Sequence, residues 1–255
     1  MQRRGIQPRN LENKQLADTC EELDIEFRFD TDTPPGKDPD SHSPTLRRYH
    51  KRLWSKALPN GHRFELEDAH SKSYLYHNSE LGEFFLSSDA ITHSYRKTKR
   101  IAHVIEQVPP QVIDAVFANG STIGAYTVFP ANRIDKKATI NGMRGLNSKI
   151  HDRFDISLEC IRRHYKDIES PLSEVLRRYG AFFALFQDFR GYVDFFHFQD
   201  LVAADYSEVK FHLPYRCFED SPLPRTKDEY LQYGESTIKF IRARATRMKA
   251  SLCLP

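Results

Sequence analysis

The sequence contains no run of about eighteen consecutive apolar residues, so no part of it reads as a membrane-spanning helix. Its first stretch, MQRRGIQPRN, has a basic start without an apolar segment behind it and does not read as a secretory signal. Cysteine is sparse. Cys20, Cys160, Cys217 and Cys253 are scattered with no Cys-x-x-Cys pair, which argues against a zinc ribbon or a disulfide scaffold and for free thiols. No Walker-type Gly-x-x-x-x-Gly-Lys-Thr loop, internal repeat or low-complexity linker occurs. What is present is 255 residues with 39% hydrophobic and 12% aromatic content, enough for a buried core and too rich in Phe and Tyr for a disordered chain. A cytoplasmic protein without membrane contact is expected.

The formal net charge of +3 conceals segregation. Six Lys or Arg lie between Arg133 and Arg153 against Asp135 and Asp152, and five lie between Lys239 and Lys249 with no acid. Arg47, Arg48, Lys51, Arg52 and Lys56 form a third basic group without a carboxylate. Clustered cations add their potentials over one patch, as a phosphate-binding surface requires. Solvated helix faces are the competing explanation for such runs.

Along the chain, residues 1–24 read as a polar arm or first helix. Ile25 to Phe29 alternate as a strand, and a proline-rich acidic loop follows to His42. Ser43-Pro44 starts an amphipathic helix with Leu46, Tyr49, Leu53 and Trp54 on one face and Arg47, Arg48, Lys51 and Arg52 on the other. Short strands are expected near Phe64, Tyr74 and Phe84, then a helix from Pro110 to a left-handed glycine cap at Gly120, then a buried strand over Ser121–Pro130. Ala131–Ile150 reads as a loop. Helices follow near Asp152, capped by Asp152 and Asp155, and after Ser170-Pro171, where one apolar stripe runs from Leu172 to Phe186. A last helix starts at the Thr226/Glu229 capping box. Tyr192–Phe198 and Val209–Tyr215 read as strands. The order of elements predicts an α+β fold: residues 25–255 as a single compact domain, with a mixed sheet and several packed helices.

Two stretches, FRFDTDTPPGKDPDSHSPTLRRYHKRLWSK and TINGMRGLNSKIHDRFDISLECIRRHY, resemble a family of bacterial proteins of unknown function. The resemblance runs from about Ile25 to Arg247 and implies a bacterial or phage origin. It supplies no activity, substrate or residue role.

Chemistry must therefore come from the residues. Asp30, Asp32, Asp38, Asp40 and His42 follow a strand end, where hard oxygen ligands often hold Mg or Mn; Asp30 and Asp32 are the candidate metal ligands, and Asp30, Asp32 and Asp38 the candidate acids and bases. Aspartates capping their own turns are the competing reading. The Asp-x-Asp-x-Thr spacing also resembles the nucleophile loop of haloacid-dehalogenase phosphatases. Pro34-Pro35-Gly36 stands where that loop continues apolar, and Asp200 and Asp205 lack the glycine of its downstream motif, so the match is rejected.

A second candidate is Arg144 between Gly142 and Gly145, followed by Lys149 and Arg153: two glycines admit a ligand to the backbone and a guanidinium offers a bidentate fork to phosphate. By this reading Arg144→Ala abolishes function and leaves the fold intact. His77, at a strand end before small polar residues, resembles the NAD-contacting histidine of ADP-ribosyltransferases, although no matching glutamate is placed. The aromatic run Phe182 to Phe198 has core spacing rather than that of a base-stacking platform.

These observations favour an enzyme acting on a phosphate-bearing substrate, nucleic acid or nucleotide. Arg144, Lys149 and Arg153 would hold phosphate, and Arg47, Arg48, Lys51 and Arg52 would track a backbone. The alternatives are a non-catalytic module that binds nucleic acid or an acidic protein, and ADP-ribosyl transfer through His77. Convergence of the acidic loop and the Arg144 segment on one concavity separates enzyme from binder.

Overall fold

The computed structural model describes residues 23–69 and 75–253, and Pro39 and Pro44 open the first two helices among those residues. The Asp38 carboxylate accepts from the Asp40 N–H at the head of α1 (Pro39–His42), and Ser43 Oγ from the Leu46 N–H at the head of α2 (Pro44–Trp54). Helix α2 buries Leu46, Tyr49, His50, Leu53 and Trp54 and leaves Arg48 exposed, as its periodicity predicts.

A short hairpin of β1 (Lys56–Ala57) and β2 (Arg63–Phe64) precedes a four-stranded sheet ordered β3 (Glu67–Asp68), β4 (Leu75–Ser79), β5 (Gly82–Ala90), β6 (Tyr126–Pro130). Every strand pairing among the described residues is antiparallel, in place of the mixed sheet expected. Helices α3 (Ala102–Ile105) and α4 (Pro110–Gly120) are inserted between β5 and β6. Gly120 does not take a left-handed conformation; Ser121 closes α4 instead. All five residues of β6 are buried. After β6 the chain is helical: α5 (Ile140–Leu146), α6 (Phe154–Tyr165), α7 (Ser173–Arg178), α8 (Gly180–Ala184), α9 (Phe189–Phe195) and α10 (Lys227–Ser251). The α+β class stands.

Several local expectations change for identifiable reasons. Ile25–Phe29 alternates but has no partner strand; Phe27 and Phe29 pack against the Tyr49 ring instead, and Phe29 N–H bonds singly to the Ser121 carbonyl. Residues 123–125 form a single helical turn before β6. The stretch 131–150 contains α5 because Thr139 Oγ caps the Gly142 N–H at 3.2 Å. Tyr192–Phe198 is largely α9, since the Asp188 carboxylate caps the Gly191 N–H at 2.7 Å and aromatics buried on every side carry no strand period. Val209–Tyr215 makes only one bridge, Val202 to Val209. Asp152 and Asp155 do not cap α6; its N-cap is Arg153. Helix α10 does begin as expected, with Thr226 Oγ accepting from Glu229 N–H and the Glu229 carboxylate returning to Arg225 N–H. The expected arm or first helix over residues 1–24 falls outside the described residues, except for its last two positions. Cys160 and Cys217 are free, whereas Cys253 is disulfide-bonded.

The main core gathers Trp54, Phe64, Phe182, Phe186, Tyr192, Phe196 and Phe198, so the aromatic run is interior, as its spacing implied. Helix α10 closes the core from one side. Its Arg244 is fully buried and donates to the carbonyls of Phe196, Gly124 and Tyr126 at 2.8–3.0 Å. Gly124 is what lets the helix come so close: a Cβ there would stand 2.1 Å from the Ile241 carbonyl oxygen. Gly124→Ala should therefore push α10 outward and cost about 1–3 kcal/mol, the usual range for overpacking. Urea unfolding of the variant measures this, and an unchanged midpoint would show that the contact relaxes freely.

Candidate active site

The acidic loop is held mostly by its own turns. Asp30 takes the Nε and Nη2 donors of Arg28 at 3.2 and 2.7 Å. Both oxygens of Asp32 are engaged at the head of α2, by Ser43 Oγ at 2.6 Å and Thr45 N–H at 3.0 Å. Asp38 caps α1. Asp30 and Asp32, the expected metal ligands, thus each turn to a different protein partner. Among the described residues, no group of three or more His, Cys, Asp or Glu is placed to hold a metal ion. Asp40 differs. Its Oδ2 accepts the Ala90 N–H at 3.3 Å, while Oδ1 is enclosed without a hydrogen-bond partner among the described residues.

Ala90 ends β5 and ties the loop to the Arg144 segment. Arg144 is completely buried in α5, not exposed to a ligand as expected. Its guanidinium donates to Ser157 Oγ, Asn141 Oδ1, the Ala90 carbonyl and the Asp152 carbonyl at 3.1–3.4 Å. Gly145 makes room for the Asp152 carboxylate rather than a ligand: a Cβ there would lie 3.2 Å from Asp152 Oδ2. Arg153 is likewise interior, in a bidentate pair with Asp155 and donating to the Pro222 carbonyl at 2.9 Å. Lys149 lies at the surface, bonded to Glu219.

Between the acidic loop and the His151-Asp152 turn lies a cavity of about 630 Å³. Its walls come from Asp30 to Pro39, from Ala90 to Thr98, from the end of α4 and from His151 and Asp152. The backbone of the middle wall is pinned by α10: Tyr233 Oη donates to the His93 carbonyl at 2.9 Å and Tyr230 Oη to the Ser94 carbonyl at 2.6 Å. Tyr95, at φ 53°, donates its hydroxyl to the His151 carbonyl, joining two walls.

Electrostatics make this enclosure chemically distinct. Asp89, just before Ala90, is pushed up to about 7 by burial, against the pull of Arg144 and the Ser87 hydroxyl. Asp40 stands well above the usual carboxylate range, first through burial and then through Asp38 and Asp89. Burial lowers His93, with Asp152 opposing and Arg144 assisting. Burial and Arg100, whose guanidinium lies 2.9 Å from the imidazole Nε2, lower His151. Two imidazoles biased toward their neutral forms thus face the cavity, with two carboxyls that hold their protons more tightly than usual behind the Ala90 wall. Lys37, Arg96 and Lys97 stand exposed around the opening, and the Arg96 guanidinium lies 3.6 Å over the Phe117 ring.

The remaining expected residues lie elsewhere. His77 is enclosed within the sheet between Phe64 and Phe84, away from this cavity, with Nδ1 at the Glu65 backbone and Nε2 3.1 Å from Ser79 Oγ. Arg47, Arg48 and Lys51 line a separate shallow groove in which Lys51 pairs with Asp68, and Arg52 follows on the same helix. In the basic run of α10, Arg244 is interior, Arg247 pairs with Asp200 and Arg242 bonds Asn119, so the run is not a row of free cations. His93, Asp89, Arg96 and Lys97 are not singled out by motif reading, and Asp40 is named there only as part of the acidic loop, without a role. The available signal was Ser-Ser-Asp-Ala-Ile-Thr-His-Ser-Tyr-Arg-Lys, a strand ending in a carboxylate and running into histidine and a basic pair.

Two outcomes follow. Arg144→Ala should cost about 3–5 kcal/mol in chemical unfolding, because it leaves buried carbonyls and the two carboxyls without their cation; a loss under about 1 kcal/mol would contradict the geometry. For Asp89, a folded-state value near 7 against an ordinary value of 3.8 means that the native state binds the proton more tightly. Stability should fall as pH rises from about 4 to about 7. Asp89→Asn should flatten that slope, and an identical pH profile in parent and variant would overturn the assignment.

The chain matches no curated protein and no solved structure. A family model does match, over residues 23–248, in accord with the extent expected from the two long motifs. The chain belongs to DUF6994, a family of unknown function.

Proposed function

We propose that the cavity is an acid–base active site for a phosphate-bearing substrate, a nucleotide or a nucleic-acid end. The observation that carries this reading is the meeting of residues 30–39, 90–98 and 151–152 around one enclosure, with an imidazole inside and three exposed cations at its mouth. An imidazole held neutral can take a proton from an attacking hydroxyl or water. Asp152 favours the imidazolium that results, as its upward pull on His93 indicates. Lys37, Arg96 and Lys97 would receive the phosphate, and the flat stack of Arg96 on Phe117 offers a face for a base. Asp40 and Asp89 are positioning residues here, held behind the wall through Ala90. Asp30, which lines the cavity, is the carboxylate of the acidic loop through which Mg or Mn could assist.

The test is turnover of nucleoside phosphates, p-nitrophenyl phosphate and short DNA and RNA oligonucleotides, with and without Mg or Mn, followed by product chromatography. One substrate class should be converted. His93→Ala should lower kcat by about 10²- to 10⁴-fold, the range for losing a general acid or base. Lys37→Ala combined with Lys97→Ala should raise KM more than it lowers kcat. Absence of turnover and of calorimetric phosphate binding would defeat the proposal, as would full activity in His93→Ala. Salt-sensitive oligonucleotide binding without turnover, lost on charge reversal of Arg47 and Arg48, would favour the non-catalytic module instead.

A further inference from the structure

A second cavity, of about 500 Å³, opens between β1 and α9, and no residue lining it is shared with the first. Lys56 reaches it from β1. Its head group is fixed by the protein: Nζ lies 2.6 Å from the Phe195 carbonyl and 3.2 Å from His197 Nε2, and sits over the rings of Phe195 and Trp54 at 4.6 and 5.1 Å. No carboxylate forms an ion pair with it among the described residues. Asp194, on the same cavity wall, accepts at its Oδ1 from Tyr206 Oη at 2.6 Å and Gln199 Nε2 at 2.9 Å. Two acceptors match the two N–H groups of a neutral amine and leave its lone pair without a protein donor, whereas the third donor of an ammonium would have only the ring faces of Phe195 and Trp54.

We propose that Lys56 is a carbonyl-capturing amine and that this cavity takes an anionic aldehyde or 2-oxo acid, with Arg190 holding the anionic group. Arg190 lines the same cavity, is exposed, and rests over the Tyr206 ring at 4.6 Å. The lone pair of Nζ attacks the carbonyl carbon and the C=O π pair moves to oxygen. Two protons reach that oxygen, one from the amine and one from solvent, water leaves, and a protonated imine remains. No oxidant or reductant is needed. The electrostatics agree with the geometry: burial first, then Arg244, lower Lys56 to about 7, with Asp194 opposing. His197 is lowered to about 3 by burial and by Lys56, so it stays neutral and can accept from the amine.

The probes are glyoxylate and pyridoxal 5′-phosphate, each trapped with borohydride on the intact native chain and located by peptide mass mapping. Lys56 should be labelled at least tenfold faster than Lys37 or Lys97 at pH 7.5, with labelling that rises through a midpoint near 7. Arg190→Met should raise the concentration needed for half-labelling by both anionic probes at least tenfold, and leave labelling by neutral propionaldehyde unchanged. Lys56→Met tests folding separately: it should leave the melting temperature equal to or above that of the parent at pH 7, since it removes a buried amine that protonates more readily in the unfolded chain. Labelling of Lys56 no faster than that of surface lysines overturns the proposal. Equal effects of Arg190→Met on charged and neutral carbonyls overturn its anion-binding half.

Discussion

The buried guanidinium of Arg144 is the constraint on which the candidate site depends. One planar group bridges the end of β5, the first turn of α5, the side chain of Ser157 in α6 and the carbonyl of Asp152. Those contacts set the separation of the cavity walls. Its charge also offsets that of Asp89 and Asp40, which burial alone would drive further toward their neutral forms. A lysine could not replace it, because the fork reaches four elements in fixed directions from one plane. Burial is the main reason that the His93 imidazole favours its neutral form, and the same charge adds to it against the pull of Asp152.

The elements legible from sequence were those whose termini carry their own chemistry. Ser43-Pro44 and the Thr226/Glu229 box name the starts of α2 and α10, because a side-chain cap is a local interaction. Alternation was less dependable: in Ile25–Phe29 it serves ring packing without a neighbouring strand, and in Tyr192–Phe198 burial on all sides erased any period. The site itself was half visible. The acidic loop and the His151-Asp152 turn that follows the Arg144 motif both line the cavity, but the roles within them did not follow from residue type. Asp32 and Asp38 cap helices, and the enclosed carboxylate is Asp40, whose setting arises only when β5 arrives from fifty residues away.

Basic runs mislead for a related reason. Arg144, Arg153 and Arg244 all read as part of surface patches, and all three are interior. Arginine brings five donors in a rigid plane, so it can gather carbonyls from several segments that have no regular partners. This chain is rich in such segments, with irregular stretches on either side of α9 and α6. Its surface is correspondingly less basic than the runs suggest, and the cations left at the mouth of the cavity stand out more against it.

The position of Arg244 also bears on the order in which the molecule forms. The carbonyls it collects come from Gly124 and Tyr126, separated from it by 120 and 118 residues, and from Phe196, 48 residues away. A cation stripped of water is stabilised only once those segments are already side by side, so docking of α10 is entropically a late and wide loop closure. Helix α10 also supplies Tyr230 and Tyr233, which pin the wall bearing His93. The sheet and the aromatic core can therefore assemble before the cavity has its final shape, and closure of the candidate site should lag behind the burst of secondary structure.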